Sequence, residues 1–311
     1  LLPGGNAFAS YHADVLFLSA EGETVTVWGR DLTTNTYFSA ETGLESSNLF
    51  LKEPPVGAEP CRLALDDKAF SFLPPDSPVP LEPFVSRKVT AYPLLTGTDR
   101  NRWIQTALPA FAADPYTTNS YPDDAGGRVY LSEYGSIRFG ADGILCFAAE
   151  TEEGLPLSLL SPAAQSGERA SVRAAVAAVS ALLEPFSGHA EGFAFQFLTI
   201  EEENDALSIS VGYTVYGRPL IRENGSRVFA HFTFRHGRLV AAELLPLTGR
   251  AEEKADLPPY SPGVLAAMFA SAVKGKTDTF LLLPAFLQQE DESYLLDWCL
   301  LPVLPAAGKE G

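Results

Sequence analysis

Cysteine is scarce in this sequence, and its spacing excludes two common kinds of site. The chain of 311 residues contains three cysteines, Cys61, Cys146 and Cys299, and none belongs to a Cys-x-x-Cys pair. Structural zinc sites need ligands at short, regular spacing, so a zinc site is not expected. The odd count argues against a full disulfide framework. One disulfide plus a free thiol stays open, but we expect three buried free thiols, since cysteine packs as a small apolar side chain.

Basic residues are also few. The sequence has 22 Lys and Arg against 39 Asp and Glu, which gives a formal net charge of −17 and an isoelectric point of about 4.6. An electrostatic field of this sign repels the phosphate backbone of nucleic acids. We therefore expect no nucleic-acid partner unless a local basic patch provides the contact.

Long apolar runs are missing, and methionine is nearly so. No run of about 18 apolar residues, the length that spans a membrane as a helix, occurs in the sequence. Met268 is the sole methionine, and the chain begins with Leu1. These features alone predict no location, but they permit an exported protein whose leader or membrane anchor precedes Leu1.

The common catalytic motifs do not occur either. The sequence has no GxSxG, P-loop or GxGxxG pattern, and its histidines show no HExxH or similar spacing. The four histidines are His12, His189, His231 and His236. No catalytic motif is therefore found in the sequence, and no cofactor or metal is expected.

Three short motifs have plainer interpretations than the functions they suggest. Ser271 and Lys274 fit the S-x-x-K pattern of serine β-lactam enzymes, but the companion motifs are missing. Residues 245–249, LPLTG, fit a sortase signal but lie far from the end of the chain, which favours a turn. The acidic run 201–205 lacks the spacing and central glycine of a calcium loop. We interpret it as an exposed hairpin tip.

Composition divides the chain into three predicted domains. Residues 1–83 are β-rich and end in a proline-rich linker at 74–83, where proline cannot donate to a sheet interior. Residues 84–165 and 166–311 are predicted to form two α/β modules.

Hydrophobic periodicity places the elements within these domains. One helix is predicted from Thr98 or Asp99 to about Ala113, shortened by Pro109, and another over residues 168–183. Strands are predicted at residues 15–19, 24–28, 31–38, 62–73 as two short strands, 87–95, 193–200, 207–216, 279–284 and 294–303.

Residues 207–247 are predicted to form a three-stranded antiparallel meander. Two turn signals, Asn224-Gly225 and His236-Gly237, separate segments of alternating apolar residues. Treating each signal as a two-residue loop fixes the pairing. The resulting pairs are Arg222 with Arg227, Arg218 with His231, and Arg235 with Arg238.

An earlier segment repeats the order of features in this meander. Residues 126–150 and 216–244 both carry Gly-Arg, a Glu, Gly-Ser, an alternating strand, a turn glycine with its own hairpin signal, and a strand with Leu near its start. We interpret them as copies of one duplicated helix-then-meander unit. The predicted fold class is therefore α+β, with helices packed on one face of antiparallel β-meanders and a small β-rich segment ahead of them.

The second copy resembles the C-terminal module of the YycH/YycI family. The matching features are the strand residues Tyr213, Gly217, Pro219 and Leu220, the hairpin Gly237-x-Leu239, a helix, and a terminal strand ending Leu301-Pro302-Val303. The first copy, NSYPDDAGGRVYLSEYGSIRFGADGIL, resembles the middle module of YycH. The likeness covers roughly residues 87–304.

This resemblance implies a function. Members of the family are anchored by one N-terminal transmembrane helix, face outside the cytoplasm and are not enzymes. They act on the membrane sensor histidine kinase that controls cell-wall metabolism. The resemblance therefore implies a non-catalytic extracytoplasmic regulator whose partner is a membrane sensor kinase or a paralogous accessory protein.

One face of the predicted meander concentrates basic residues and is the predicted partner site. It contains Arg218, Arg222, Arg227, Phe229, His231, Arg235 and Arg238. Like charges directly opposite each other are destabilising, so we expect an acidic partner surface or an anionic ligand to offset them. Internal neutralisation by residues 201–203 is the alternative. The other face, predicted to enter the core, contains Pro219, Ile221, Val228, Ala230, Phe232, Phe234, Leu239 and Ala241.

Two other functions stay open. A solute- or peptide-binding lipoprotein would show a large apolar pocket with convergent polar groups. A hydrolase would show clustered carboxylates with shifted pKa values in a cleft.

Overall fold

A mixed sheet of fourteen strands is the largest feature of the fold, which is mostly β with some helices and α+β in broad class. The chain divides into two units, residues 1–82, 262–282 and 300–311 in the first and 83–261 and 283–299 in the second. The structure is a computed structural model. It describes residues 15–21, 24–31, 36–45, 61–75, 77–80, 86–150, 154–160, 172–254, 260–276, 280–291 and 293–302.

Nineteen strands and four α-helices occur among these residues. The strands are β1 (Val15–Glu21), β2 (Thr24–Asp31), β3 (Thr36–Glu45), β4 (Cys61–Leu63), β5 (Pro78–Pro80), β6 (Arg87–Pro93), β7 (Asn119–Pro122), β8 (Arg128–Ser132), β9 (Gly135–Phe139), β10 (Leu145–Ala149), β11 (Leu155–Pro156), β12 (Phe193–Glu203), β13 (Ala206–Val215), β14 (Arg218–Ile221), β15 (Ala230–Arg235), β16 (Arg238–Leu244), β17 (Leu247–Lys254), β18 (Phe280–Gln288) and β19 (Ser293–Pro302). The helices are α1 (Arg100–Ala107), α2 (Leu157–Leu160), α3 (Val172–Leu183) and α4 (Pro262–Val273).

In the first unit, β1, β2 and β3 form an antiparallel sheet in that order. The predicted pairing of the strands at residues 15–19 and 24–28 is confirmed, and it extends to Glu21 opposite Thr24. The third strand lies later than predicted, because residue 31 still belongs to β2 and β3 covers Thr36–Glu45.

Residues 62–73 form one short strand rather than the two predicted. β4 pairs with β5, and two 3₁₀ turns follow at Ala64–Asp66 and Lys68–Phe70. The carboxylate of Asp67 accepts a hydrogen bond from the N–H of Ala69 at 3.0 Å, and such local bonds compete with strand pairing. The proline-rich linker contains β5, whose prolines are tolerated because both strands of a two-stranded sheet are edges.

The second unit is built on the large sheet. Its order is β17-β6-β19-β18-β14-β13-β15-β16-β10-β9-β8-β7, with β12 beside β13 and β11 beside β16. β14 and β18 run parallel, whereas pairs such as β13 with β15 and β10 with β16 are antiparallel. The pairing of β10 with β16 joins the two predicted modules in one sheet.

Helices α1 and α3 pack on one face of this sheet. The shared buried cluster contains Ile104 and Ala107 of α1, Ala175, Val179 and Leu182 of α3, and Phe139, Phe147, Phe232 and Phe234 of the strands. Helix α1 gives way at Leu108 to a 3₁₀ turn that contains Pro109, so the predicted shortening is confirmed. Helix α3 ends at Leu183 as predicted, and its predicted start at 168–171 lies outside the described residues.

The predicted meander is wrong in its first strand pair. A turn at Tyr216-Gly217, with φ of 48° and 79°, folds β14 back onto the end of β13. β15 then pairs with the first half of β13, with Val211 opposite Ala230. Arg218 lies opposite Val215 rather than His231.

The Asn224-Gly225 signal does form a turn, but its loop has three residues. The N–H of Gly225 donates to the carbonyl of Arg222 at 2.8 Å, and the N–H of Arg222 donates to the carbonyl of Ser226 at 2.8 Å. Gly225 has φ of 79°. It is therefore the left-handed residue that follows the type I turn in a three-residue hairpin loop. Arg222 therefore meets Ser226 and not Arg227.

The second turn is confirmed. His236 and Gly237 have φ of 48° and 73°, and Arg235 lies opposite Arg238. A bulge follows, because Phe234 pairs with Leu239 whereas Thr233 pairs with Ala241. One extra residue reverses the alternation, so Ala241, predicted for the core, is exposed.

This alternation leads to a stability prediction. Phe232 is fully buried in the shared cluster, so Phe232→Ala should lower the free energy of unfolding by about 3–5 kcal/mol. Arg235→Ala, on the exposed face of the same strand, should change it by less than about 0.5 kcal/mol. Urea denaturation of the two variants measures both. Equal losses would mean that the faces of β15 are misassigned.

Candidate functional site

Three of the seven predicted partner-site residues lie together on the solvent face of the sheet. His231 is exposed on β15 opposite Glu243 of β16, and Arg235 is exposed opposite Arg238. His231 Nδ1 lies 3.2 Å from Ser210 Oγ. Arg238 donates to the carbonyl of Gly154 at 3.4 Å. We call Arg235 and Arg238, together with His231 on the same face, the cationic row.

Arg218 and Phe229 do not belong to this exposed face, contrary to the prediction. Arg218 is only 7% exposed and Phe229 only 4% exposed. Val228, predicted for the core, is 36% exposed. The three-residue loop and the pairing of β14 with β13 account for this change, since a shift of one residue moves every side chain to the other face.

Arg222 and Arg227 lie near the turn instead of on β15. The guanidinium of Arg222 lies over the ring of Phe229, 5.8 Å from its centroid, a cation–π geometry. Arg227 lies near Cys299, where its charge lowers the thiol pKa. Burial outweighs this effect and raises the pKa of Cys299 to about 12.

The acidic residues 201–203 lie on β12, two strands from β15. Glu203 pairs with Ala206, which pairs with Arg235, so Glu203 and Arg235 share a face. Their backbones are about 10 Å apart by strand spacing. Interaction across that distance in solvent is weak, so these glutamates neutralise the cationic row only in part.

A cavity of about 340 Å³ opens on the other face of the sheet, between the end of α3 and β12. Helix α3 contributes Ser180 and Leu183, and the segment after it contributes residues 186–190. β12 contributes Phe193, Ala194, Phe195 and Phe197. Tyr213 of β13 and Leu247 of β17 complete the lining.

Aromatic rings form one wall of this cavity. The alternation Phe-Ala-Phe-Gln-Phe at residues 193–197 places the three phenylalanines on one side of β12. The ring of Tyr213 packs against two of them, tilted relative to Phe195 at 4.5 Å between centroids and edge-on to Phe193 at 6.4 Å. Tyr213 is almost fully buried, and burial raises its pKa. Its hydroxyl accepts a hydrogen bond from the N–H of Leu247 at 2.9 Å.

The polar side chains of the opposite wall share one hydrogen-bond pattern. Ser180 Oγ donates to the carbonyl of Val176 at 2.9 Å, and Ser187 Oγ donates to the carbonyl of Leu183 at 3.1 Å. Each bond reaches four residues back, as serine hydroxyls in helices commonly do. Both hydroxyls have thus used their proton and can only accept from a ligand.

His189 follows the same pattern. Its Nε2 lies 2.8 Å from the carbonyl of Pro185. A carbonyl only accepts, so Nε2 carries the proton, and the Nδ1 of the neutral ring is an acceptor. The ring of Trp103 packs edge-on against His189 at 4.2 Å between centroids, which fixes the imidazole. The lining therefore combines aromatic rings with three hydrogen-bond acceptors.

This cavity was not predicted. A strand was predicted at residues 193–200, and the Phe-x-Phe-x-Phe alternation was present in the sequence as a signal. Such alternation normally indicates a core strand. That β12 is an edge strand follows from topology, which local pattern does not contain.

The cysteines, metal sites and membrane spans were also considered in the sequence. Cys146 and Cys299 are free thiols, but both are only partly buried, and the side chain of Cys61 lies outside the described residues. Within the ranges that the structure covers, no group of three or more His, Cys, Asp or Glu side chains could hold a metal ion. No helix in those ranges is long and apolar enough to span a membrane.

Comparison with known proteins adds little to this picture. No protein-family model matches the sequence, and no curated protein matches it significantly. A solved structure of an uncharacterized protein from Eubacterium rectale ATCC 33656 is similar to this chain at 14% identity and a TM-score of 0.39, covering 72% of this chain and 80% of that one.

The Tyr213 hydroxyl leads to a prediction about the cavity wall. Tyr213→Phe leaves the buried N–H of Leu247 without its acceptor, so it should destabilise the protein by about 1–3 kcal/mol. Tyr121→Phe, on an exposed edge of the sheet, is the matched control and should change stability by less than about 0.5 kcal/mol. Urea denaturation compares the two. Equal stability of both variants would show that this hydrogen bond does not hold the wall.

Proposed function

We propose that this protein is a non-catalytic, extracytoplasmic accessory protein that regulates a membrane sensor histidine kinase through protein–protein contact. The partner is the kinase itself or a paralogous accessory protein. The resemblance to YycH/YycI motivates the proposal. The cationic row is the observation that carries it, because three basic side chains lie together on the surface of a protein with a net charge of −17.

The position of the cationic row supports a role in binding. It lies on adjacent strands next to a tight turn, and the opposite faces of those strands are packed into the buried cluster. Side chains on such a rigid support lose little conformational freedom when a partner binds. Arg235 and Arg238 lie directly opposite each other, so both guanidinium groups meet a partner at the same point of the surface.

We also propose that the fold arose by duplication of one helix-then-meander unit. The hairpin β9–β10 and the hairpin β15–β16 pair through β10 and β16 in antiparallel fashion. Two copies related by a two-fold axis would meet in this way. Helices α1 and α3, which precede the two hairpins in the chain, pack into the same cluster. In this proposal the cationic row belongs to the second copy alone, since Ala141 and Ile144 occupy the corresponding positions of the first.

Charge reversal tests the contact. Arg235→Glu with Arg238→Glu should weaken binding to the extracytoplasmic part of the kinase or to the paralogue at least tenfold, because an attraction becomes a repulsion. The melting temperature should change by no more than about 2 °C, since surface substitutions have small effects. Biolayer interferometry and thermal unfolding measure the two quantities.

The matched control is Arg173→Glu with Arg102→Glu, which makes the same change of charge on exposed positions of α3 and α1. The control should leave binding unchanged. Unaltered binding by the Arg235→Glu, Arg238→Glu variant, or equal loss in both variants, would reject the cationic row as the contact surface.

A second function, solute or peptide binding, is favoured by the cavity. Its volume is within the range of small-ligand sites, and it combines apolar walls with a few polar groups, as such sites do. The neutral dye N-phenyl-1-naphthylamine matches this lining, since it has aromatic rings and one N–H donor. We expect its fluorescence to rise and shift to the blue on binding.

Filling the cavity tests this second function. Ser180→Trp places a bulky side chain in the lining and should weaken dye binding at least tenfold. Val172→Trp adds the same side chain to an exposed position of α3 outside the lining and should have no effect. Dye binding that Ser180→Trp does not reduce would place the dye elsewhere and would remove the support for this function.

A further inference from the structure

β12 is a long strand at an open edge, and it is rich in apolar residues. It has eleven residues, none of them fully buried. Within the described part of the chain it pairs with β13 alone. Phe197 and Ile200 are 37% and 42% exposed. Long apolar edge strands are rare on free surfaces, because they pair readily with another strand.

The backbone of β12 presents hydrogen-bonding groups at this edge. The carbonyl of Gly192 accepts a hydrogen bond from the N–H of Tyr216 at 2.8 Å, and the carbonyl of Ala194 accepts one from Thr214 Oγ1 at 3.4 Å. Even-numbered residues therefore face β13. Because backbone groups alternate along a strand, the N–H and C=O groups of Phe195 and of Phe197 point away from β13.

Phe195 and Phe197, whose backbone groups point outward, are also lining residues of the cavity. Residues that pair directly in a sheet share a face, so a residue of an added strand opposite Phe195 would direct its side chain into the aromatic cavity. The acceptors there are Ser180 Oγ, Ser187 Oγ and His189 Nδ1. A tyrosine or tryptophan fits this combination best, since it offers a ring and one hydrogen-bond donor.

The far end of β12 is acidic. Glu201, Glu202 and Glu203 are all exposed, and about 20 Å of strand separates Phe195 from Glu201 at 3.3 Å per residue. These carboxylates lie six to eight residues after Phe195, and a bulge between Phe197 and Thr199 gives β12 one extra residue. A regular added strand would therefore pass them five to seven residues from its anchor. Lysine or arginine at that distance complements them.

The geometry points to β12 as the docking site for an extended peptide segment of a partner protein, with a tyrosine or tryptophan anchor in the cavity and basic residues five to seven positions away. This inference deepens the second function proposed above and rests on the cavity being a binding site. It adds the class of ligand and the mode of binding, which is strand addition.

Synthetic peptides test the mode of binding. The probe is the acetylated, amidated peptide Thr-Tyr-Thr-Val-Thr-Val-Lys-Val-Lys-Thr, together with the peptide of reversed sequence, because strands add in either direction. Fluorescence anisotropy of labelled peptides should show saturable binding of at least one of them. Two N-methylated versions of that peptide carry methyl groups on alternate amides, one version at odd and one at even positions. Strand addition predicts that one version loses binding at least tenfold and the other keeps it.

The anchor and the charges are tested separately. Phenylalanine or O-methyltyrosine in place of tyrosine should weaken binding about three- to tenfold through loss of the donor. Glu201→Lys with Glu203→Lys should weaken it by a similar factor and should favour a peptide with Glu in place of Lys. Glu133→Lys with Glu223→Lys, at exposed turns elsewhere, should leave binding unchanged.

Several results would overturn the inference. They are no binding of either peptide, equal binding of the two N-methylated versions, or no preference for tyrosine. If N-phenyl-1-naphthylamine still binds and Ser180→Trp blocks it, the cavity binds solutes and only the peptide inference fails. If neither dye nor peptide binds, the second function fails as well.

Discussion

The fold of the second unit depends on how the backbone of β13 is shared. This strand has β12 along one edge, and its other edge is divided between β14 near its end and β15 near its start. A strand can pair with only one neighbour at each position along an edge. The chain therefore has to leave β14, turn at Asn224-Gly225 and return to β13 further along. β14 is thereby free to pair with β18, which joins the two parts of the large sheet.

Sharing β13 also decides which arginines are available to a partner. In a simple meander, Arg218 would lie beside His231 on the exposed face. Because β14 pairs with the buried end of β13, Arg218 is almost fully buried. Phe229 lies in the connecting segment and is also buried, 5.5 Å from Tyr213 between ring centroids. Because β14 and β15 share one edge of β13, the cationic row is the part of the predicted basic face that stays on the exposed face of the sheet.

Strand partners could be predicted from the sequence only where a recognised turn joins the two strands. Glycine at Gly143 and Gly237 marked turns that the structure contains, because glycine adopts positive φ without strain. The turn at Tyr216-Gly217 was missed, since a tyrosine with positive φ is uncommon and gives no signal. The bulge that leaves Val240 of β16 without a partner on β15 was also missed, because no glycine at this position marks it. Predicting the cavity would have required the tertiary structure, because its walls come from α3, β12, β13 and β17. The proximity of these elements is a property of the whole fold.

A basic peptide can bind beside β12 although the cationic row lies on the same sheet. The glutamates of β12 would lie much nearer to the peptide than the arginines of the cationic row. A strand added to β12 would lie about 5 Å from the backbone of Glu201 and Glu203. Three strand spacings, about 14 Å, would separate it from Arg235 on β15. Screening at physiological salt acts over about 8 Å, so the nearer carboxylates dominate. The two surfaces therefore select partners of opposite charge, and one partner could engage both only if its acidic and basic groups were separated in the same way.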